Sequence, residues 1–381
     1  MHILHLPSEY PTKDHKLGGI FTKELISQLP KKFKIRTIYI YLFSAKKIFS
    51  SLFLQLFKKY ESKKNINIKY FPRFPIIKLF NYFSYYYNFK LVFSDYINKY
   101  GKPDLIHAHF SEFSSYAAYK TKKEFNIPYF ITEHSTDFLD GKFLKNYKKN
   151  SLKSSLIKKI FINSKHIICV SNQLKKSICK FSPILKKKIK VIPNTILYVK
   201  PNLDIKKTYD FIFVGTFEKR KNPFLVLKAF KDLIKDKNKF ILCLIGSGPL
   251  EKDMIGYIKK NKLEKNIKFF SNLRRKEVIK KISQSKILLS SSLFETFGVV
   301  LIEAYSQGVP VLITDSIGVR DVFVKGCGRL LKNFSVKNYS VNMLEMINNL
   351  DNYKKNKIIK VFKNNYQSKI VIRKHTNLYK I

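Results

Sequence analysis

Short apolar runs of strand length alternate with stretches of helical period along this whole chain, and they form two series. The first reads MHILHL, IRTIYIYL, INIKYF, DLIHAHF, IPYFITEH, HIICVS and IKVIP; the second reads YDFIFVG, FILCLIG, IKFFS, KILLSS and VPVLITD. Continuous apolar strands separated by helices are the pattern of parallel sheets, because a parallel crossover needs a helix and that helix covers the sheet. Helical patterns fall at about 20–29, 223–234, 250–260 and 276–283, with one more following Glu295. Between the series, after Pro193-Asn194, the stretch YVKPNLDIKKTYD carries proline, asparagine and charge and reads as a linker. The expected fold class is therefore α/β, with two Rossmann-like doubly wound parallel-sheet domains over 1–197 and 198–365 facing a cleft. At roughly 100–200 residues per domain, 381 residues give each a full core. Ligands of such sheets bind outside the carboxyl ends of the strands, so the strand-to-helix loops are the candidate sites.

Composition narrows the setting. The four cysteines, Cys169, Cys179, Cys243 and Cys327, lack the close pairing of a metal site or a secreted disulfide scaffold, and a reduced cytoplasm is the expected compartment. No N-terminal stretch reads as a secretory signal. The net charge of +48 creates a field toward polyanions, but only eight of the 74 basic residues are arginine, and the richness in Lys, Asn, Ile, Phe and Tyr fits an AT-rich coding sequence as well as a selected surface. No zinc finger or RNP-type aromatic patch accompanies the charge, so nucleic acid is not among the expected partners. Residues 46–59, KKIFSSLFLQLFKK, read equally as an interfacial helix on an anionic membrane surface or as a helix whose apolar side covers the first sheet.

The chemistry concentrates in residues 295–315, ETFGVVLIEAYSQGVPVLITD. Thr296 is expected to cap a helix beginning near Phe297-Gly298, whose open N–H groups and dipole make an anion site. Glu295 sits beside that site and Glu303 lies among apolar residues inside the helix. A dehydrated carboxylate needs hydrogen-bond donors, and ligand hydroxyls suit both acids. A nucleotide sugar satisfies the pattern, with its ribose at Glu303, its diphosphate at the helix start and its transferred sugar at Glu295. Against this stands the plainer reading that an acid near a helix N-terminus is favourable through the dipole alone, and that a mid-helix Glu faces solvent.

The E-x-F-G-x-x-x-x-E frame of this segment, followed by GVPV, resembles the signature of the retaining group 1 (family 4) glycosyltransferases of GT-B architecture. DLIHAHF, CVSNQLKKSI, VIPNT, FVGTFEKRKNP and LIGSGPLE stand in that family's order. PSEYPTKDHKLGGIFTKEL and TEHSTDF look like a branch attached to bacterial cell-surface polysaccharide synthesis. The resemblance implies Glu303 as ribose ligand, Glu295 as a contact to the donor sugar, and the amides of Phe297, Gly298 and Val299 as holders of sugar and diphosphate. It implies Lys221 as the phosphate lysine, Gly18 and Gly19 as the loop over the donor phosphates, and His109 as a group near the transferred sugar. Glu295, His109 and Lys221 are thus the catalytic candidates. Glu133 and His134 are expected to border the acceptor, and the loop at Asn272-Leu273-Arg274, with Arg274, to meet the base. Asn194 and Ser171 belong to the pattern but serve as well for turn and cap. A C-terminal helix over 366–381 can return to the first domain. One departure is plain: the family's arginine five residues before the lysine is Thr216 here, which leaves Lys219 or Arg220 to reach in.

No D-x-D triplet occurs, so no metal and no other cofactor is expected. The resemblance implies transfer with retention from a UDP- or GDP-linked sugar to a saccharide or lipid-linked saccharide, by an enzyme peripheral to the inner membrane face. A nonhydrolysing sugar-nucleotide epimerase on the same architecture, or a noncatalytic polyanion-binding protein, are the alternatives.

Overall fold

The computed structural model describes residues 1–12, 18–44, 60–63, 66–73, 80–139, 151–202, 204–235, 239–271 and 273–380. The basic aromatic segment 46–59 and Asn272 lie outside them. Two compact units form, one of Met1–Ile192 with Leu378–Ile381, the other of Pro193–Asn377; the sequence boundary at 197/198 falls five residues after this division.

In the first unit the strands are β1 (His2–Pro7), β2 (Lys34–Ser44), β3 (Tyr60–Lys63), β4 (Ile66–Arg73), β5 (Leu105–His109), β6 (Tyr129–Glu133), β7 (His166–Cys169) and β8 (Ile189–Val191). They lie in one sheet in the order β3-β4-β2-β1-β5-β6-β7-β8, parallel except for the antiparallel β3–β4 pair at the edge. Helices α1 (Ile20–Ser27), α2 (Phe80–Tyr100), α3 (Phe113–Phe125), α4 (Leu152–Asn163) and α5 (Asn172–Phe181) connect them. Every residue of β1, β5 and β6 is buried, which is why these strands read as largely apolar runs even though they carry His5, His107, His109 and Glu133. In a chain without tryptophan the bulk comes from Phe and Tyr: along α2, Tyr85, Phe89, Phe93 and Tyr96 are each no more than 1% exposed, and Phe89 stacks on Phe93 with ring centroids 5.0 Å apart. Ser171 caps α5 by accepting from the Leu174 N–H at 3.2 Å.

The second unit has β9 (Tyr209–Val214), β10 (Leu242–Ile245), β11 (Ile267–Phe270), β12 (Ser285–Ser290), β13 (Val311–Thr314) and β14 (Gly328–Leu331), in the order β11-β10-β9-β12-β13-β14 and parallel throughout. Its helices are α6 (Pro223–Ile234), α7 (Glu251–Lys260), α8 (Arg275–Ser283), α9 (Val299–Ser306), α10 (Val336–Asn348), α11 (Lys355–Asn365) and α12 (Ser368–Tyr379). Phe211, Phe217, Val226, Phe230, Leu244 and Met343 form part of a continuous core between β9, β10 and the helices over them.

Each sheet reverses its strand order once, at β1/β5 and at β9/β12, and open parallel sheets bind ligands at that point. Two edge strands were not in the sequence reading. β3 lies outside the apolar pattern, and β14 is a short, half-buried edge whose GRLL carries too little apolar signal to stand out. Helix α12 belongs to the second unit except for its end, where Tyr379 sits with the first. Among the described residues no helix is long and apolar enough to cross a membrane.

Candidate functional site

The loop after β9 and the loop after β12 flank the switch point of the second sheet and are tied together there. The Ser291 hydroxyl donates to the carbonyls of Lys221 and Asn222 at 2.9 and 2.8 Å, and the Leu293 N–H donates to the Arg220 carbonyl at 2.9 Å. This brace delivers Lys221 and Arg220 to Glu295, which is only 6% exposed. Lys221 Nζ pairs with Glu295 Oε1, the Ser292 hydroxyl donates to the same oxygen at 3.0 Å, and Arg220 Nη1 faces Oε2 at 3.4 Å. Burial pushes the Glu295 carboxyl up, but the charges of Lys221 and Arg220, with the hydrogen bonds from Lys221 and Ser292, outweigh it and hold the group below its ordinary value.

Glu303, 3% exposed, sits inside α9 and finds an arginine: Arg275, the first residue of α8, places its guanidinium on Glu303 Oε1. The buried acid of the apolar helix is therefore held by a cation. Arg274, expected from the sequence to meet the base, takes no part in this pair. That residue is exposed at the N-terminus of α8, where its N–H donates to Glu277 Oε2 at 2.7 Å. The signal for Arg275 was present in the Arg274-Arg275 pair, but which of the two turns inward depends on the helix start.

Thr296 does not cap α9. The helix begins at Val299 with Gly298 before it at φ 81°, no side chain caps it, and in its first turn the Leu301 N–H donates to the Gly298 carbonyl at 3.0 Å. Phe297 is buried, edge-on to Tyr366 with centroids 5.9 Å apart, which leaves its backbone rather than its ring for binding. Thr216 is exposed and turns to Glu218, donating to its Oε1 at 2.7 Å; Arg220 Nη2 donates to that same oxygen, also at 2.7 Å.

Gly318, unremarked in the sequence, fixes the height of Glu295. It has φ 96°, a Cβ there would overlap the Glu295 carbonyl, and the neighbouring Ile317 carbonyl accepts from the Glu295 N–H at 2.9 Å. Gly318→Ala is therefore expected to cost about 2 kcal/mol or more of stability and to displace Glu295 from Lys221, read as a lower melting temperature. A variant as stable as the wild type would show that this approach is not required.

In the first unit, Gly18 and Gly19 lie buried ahead of α1. Gly19 has φ 59° and a Cβ would overlap the Glu9 carbonyl, so this loop folds back on the end of β1 only with glycine there. His109 ends β5, fully buried, in a row of imidazoles that the sequence did not announce. His5 Nδ1 lies 3.2 Å from His109 Nε2, and His109 Nδ1 lies 3.4 Å from His134 Nε2. His5, His107 and His109 each bring a ring nitrogen within 4.8 Å of the others, a spacing a metal ion could use. Yet both nitrogens of His107 are engaged, by Tyr379 and Thr132 hydroxyls at 2.7 Å each, and the His107 and His109 rings stack at 19° rather than converge. A hydrogen-bonded and stacked array accounts for this geometry, so it supplies no reason to invoke a metal.

Glu133 was expected to border an acceptor. Its carboxylate instead accepts from three backbone N–H groups, those of Ser111 at 3.0 Å, His134 at 2.8 Å and Ser135 at 2.6 Å, and it is fully buried. Burial pushes it up to about 7 against the pull of those donors. Its role is to tie the loop after β5 to the loop after β6, which sets the distance between His109 and His134. Of the two residues, His134, 7% exposed and edged by Phe21, is the one nearer the surface.

Comparison with known proteins follows the same two units. The profile of glycosyl transferases group 1 matches residues 198–363, and that of glycosyltransferase family 4 matches residues 52–196. The chain is 30% identical to the uncharacterized glycosyltransferase MJ1178 of Methanocaldococcus jannaschii over 278 residues, 72% of this chain and 74% of that one. Among solved structures it is similar to sucrose-phosphate synthase from Thermosynechococcus elongatus (TM-score 0.74, 15% identity, 100% and 98% of the two chains). It is also similar to Anabaena Alr3699/HepE in complex with UDP (TM-score 0.72, 13% identity, 100% and 99%). The architecture of two Rossmann-like α/β units is thus that of the GT-B fold.

Proposed function

The chain belongs to the group 1 glycosyltransferases, and from that premise we propose that it transfers a sugar from a UDP- or GDP-linked donor to a saccharide or lipid-linked saccharide, with retention and without a divalent metal. The observation that carries this reading is the pair of buried acids around one helix start, each held by its own cation: Glu295 by Lys221 and Arg220, and Glu303 by Arg275. A nucleotide sugar offers oxyanions to the cations and hydroxyls to the acids. Glu303 takes the ribose hydroxyls and Glu295 those of the transferred sugar. Lys221 and the amides of Phe297, Gly298 and Val299 take the diphosphate, and the loop at Leu273-Arg274-Arg275 lies toward the base. In the first unit, His109 is the candidate for sugar contact and Gly18-Gly19 for the phosphates.

In the reaction, the bond between the anomeric carbon and the phosphate oxygen breaks while the acceptor oxygen bonds to the same face, and the leaving phosphate oxygen takes the acceptor's proton. Lys221 and the helix start stabilise the charge that grows on the diphosphate, because fixed dipoles and charges need no reorganisation at that moment. The motifs PSEYPTKDHKLGGIFTKEL and TEHSTDF support an acceptor in bacterial cell-surface polysaccharide synthesis. The charge of +48 supports a cytoplasmic enzyme drawn to an anionic membrane surface.

The test is a thermal-shift screen of UDP- and GDP-sugars with and without EDTA, followed by NMR assignment of the product's anomeric configuration. We expect one donor to stabilise the protein equally in EDTA and to yield a retained linkage only when a saccharide acceptor is added. No stabilisation by any donor would point to a noncatalytic protein. Donor isomerised without acceptor would establish the epimerase, and loss of activity in EDTA would overturn the metal-free step. Co-sedimentation with anionic liposomes, lost when the lysines of 46–59 become Glu, is the corresponding test of the membrane surface.

A further inference from the structure

Thr216 and Arg220, in the loop that follows β9, meet at one carboxylate, that of Glu218. Glu218 Oε1 is bracketed by the Thr216 hydroxyl and Arg220 Nη2, each at 2.7 Å. The other guanidinium nitrogen, Nη1, faces Glu295 Oε2 at 3.4 Å, while Lys221 holds Glu295 Oε1. One carboxylate therefore lies across two cations, one oxygen to each, as two oxyanions of a diphosphate would. The Arg220 contact is the longer of the two, the looser grip that an incoming anion displaces first. The Leu293 N–H, bonded to the Arg220 carbonyl at 2.9 Å, fixes the backbone from which the guanidinium projects.

A partly exposed arginine beside a glutamate two residues away is ordinarily a surface pair of little consequence. Two observations set this one apart. The arginine side chain, 26% exposed, has a second, buried partner in Glu295. The glutamate is itself fixed by the Thr216 hydroxyl. A bare carboxylate next to a phosphate site would repel the ligand, but burial, which pushes Glu218 up, is outweighed by the Thr216 hydrogen bond and the charges of Arg220 and Lys221, so the acid stays ionised and paired.

We propose that Arg220 is the second diphosphate cation of this enzyme, and that Glu218 and Thr216 are positioning residues that aim it. This rests on the nucleotide-sugar reading above, and the test separates the two. UDP and GDP are titrated calorimetrically into the full chain and its variants, with circular dichroism as the control for folding. Arg220→Gln is expected to weaken the preferred nucleotide about tenfold or more, the effect of one charge-assisted contact, and to leave the melting temperature nearly unchanged. Glu218→Gln and Thr216→Val are expected to weaken it less, about two- to fivefold on the same scale, and to have no further effect once Arg220 is gone, as residues acting only through it must. Because positions 216 and 220 meet at the same Glu218 oxygen, moving the charge across, in Thr216→Arg with Arg220→Gln, is expected to recover affinity. If the wild type binds neither UDP nor GDP, the nucleotide-sugar reading fails. If it binds and Arg220→Gln binds as tightly, or Glu218→Gln keeps its full effect without Arg220, or the relocated arginine recovers nothing, the present inference fails and the broader reading stands.

Discussion

Replacing Glu303 with alanine is expected to remove the stabilisation that a nucleotide sugar gives, while lowering the melting temperature of the free protein by only a few degrees. The two effects separate because Glu303 is sealed and its partner is not: the side chains are 4% and 21% exposed. With the acid gone, the Arg275 guanidinium can turn to water, so the fold loses about 1–2 kcal/mol rather than the 3–5 of a fully buried ion pair. That is about 2–4 °C per kcal/mol for a unit of this size. A ligand loses more. Its ribose hydroxyls forfeit an ionised acceptor, worth about 1.5–3 kcal/mol or roughly ten- to hundredfold in Kd. With donor at about ten times the wild-type Kd, a stabilisation of about 1.4 kcal/mol falls below about 0.1 kcal/mol when binding weakens hundredfold. Glu303→Gln, which keeps the acceptor oxygen but not the charge, should lie between. An unchanged ligand-induced shift in Glu303→Ala would leave the Glu303–Arg275 pair a purely structural one and remove the ribose from this account.

That pair also shows where sequence reading stops. The strands were legible because parallel strands covered on both faces are largely apolar, so β1, β5, β6, β12 and β13 announce themselves despite the histidines of β1 and β5 and the Glu133 that ends β6. The acids were legible because a carboxylate among Val, Leu and Ile needs a reason. Their partners were not. Arg275 lies 28 residues from Glu303 and Lys221 lies 74 from Glu295, and such pairs form only because the loops after β9, β11 and β12 gather on one side of one sheet. The motif pattern supplied Lys221 as a phosphate lysine and Arg274 as a base contact, and named neither Lys221 nor Arg275 as the partner of an acid. Gly318 carried no local signal at all, since its necessity comes from the Glu295 backbone beside it. The partners of Glu133 were hidden for a like reason: the sequence places it at a strand end, and only the folded loops after β5 and β6 bring three backbone amides to it.

The Lys221–Glu295 pair gives the largest expected loss, and a double substitution separates its contributions to fold and to chemistry. Lys221→Met leaves Glu295, side chain 8% exposed, with the longer Arg220 contact as its one charged partner beside the Ser292 hydroxyl, and should destabilise the protein by about 3 kcal/mol, the cost of a buried charge robbed of its main partner. The pH dependence has a definite sign. Held below its ordinary 4.5 by these cations, Glu295 contributes stability that is present above 4.5 and fades as pH falls through the lower, folded value. Without Lys221, burial prevails and the acid-side loss moves to higher pH. Adding Glu295→Gln to Lys221→Met takes away the stranded charge, so much of the stability should return and the acid shift should vanish. Turnover should not return: a fixed positive charge opposite the departing diphosphate is worth about 10²–10³ in rate, and a methionine supplies none. Thermal melts across pH 3–8, set beside turnover for the single and double variants, read both sides of this. A double variant that is stable and transfers sugar within tenfold of the wild type would mean that this pair holds the loops together and that the departing phosphate draws its stabilisation from elsewhere.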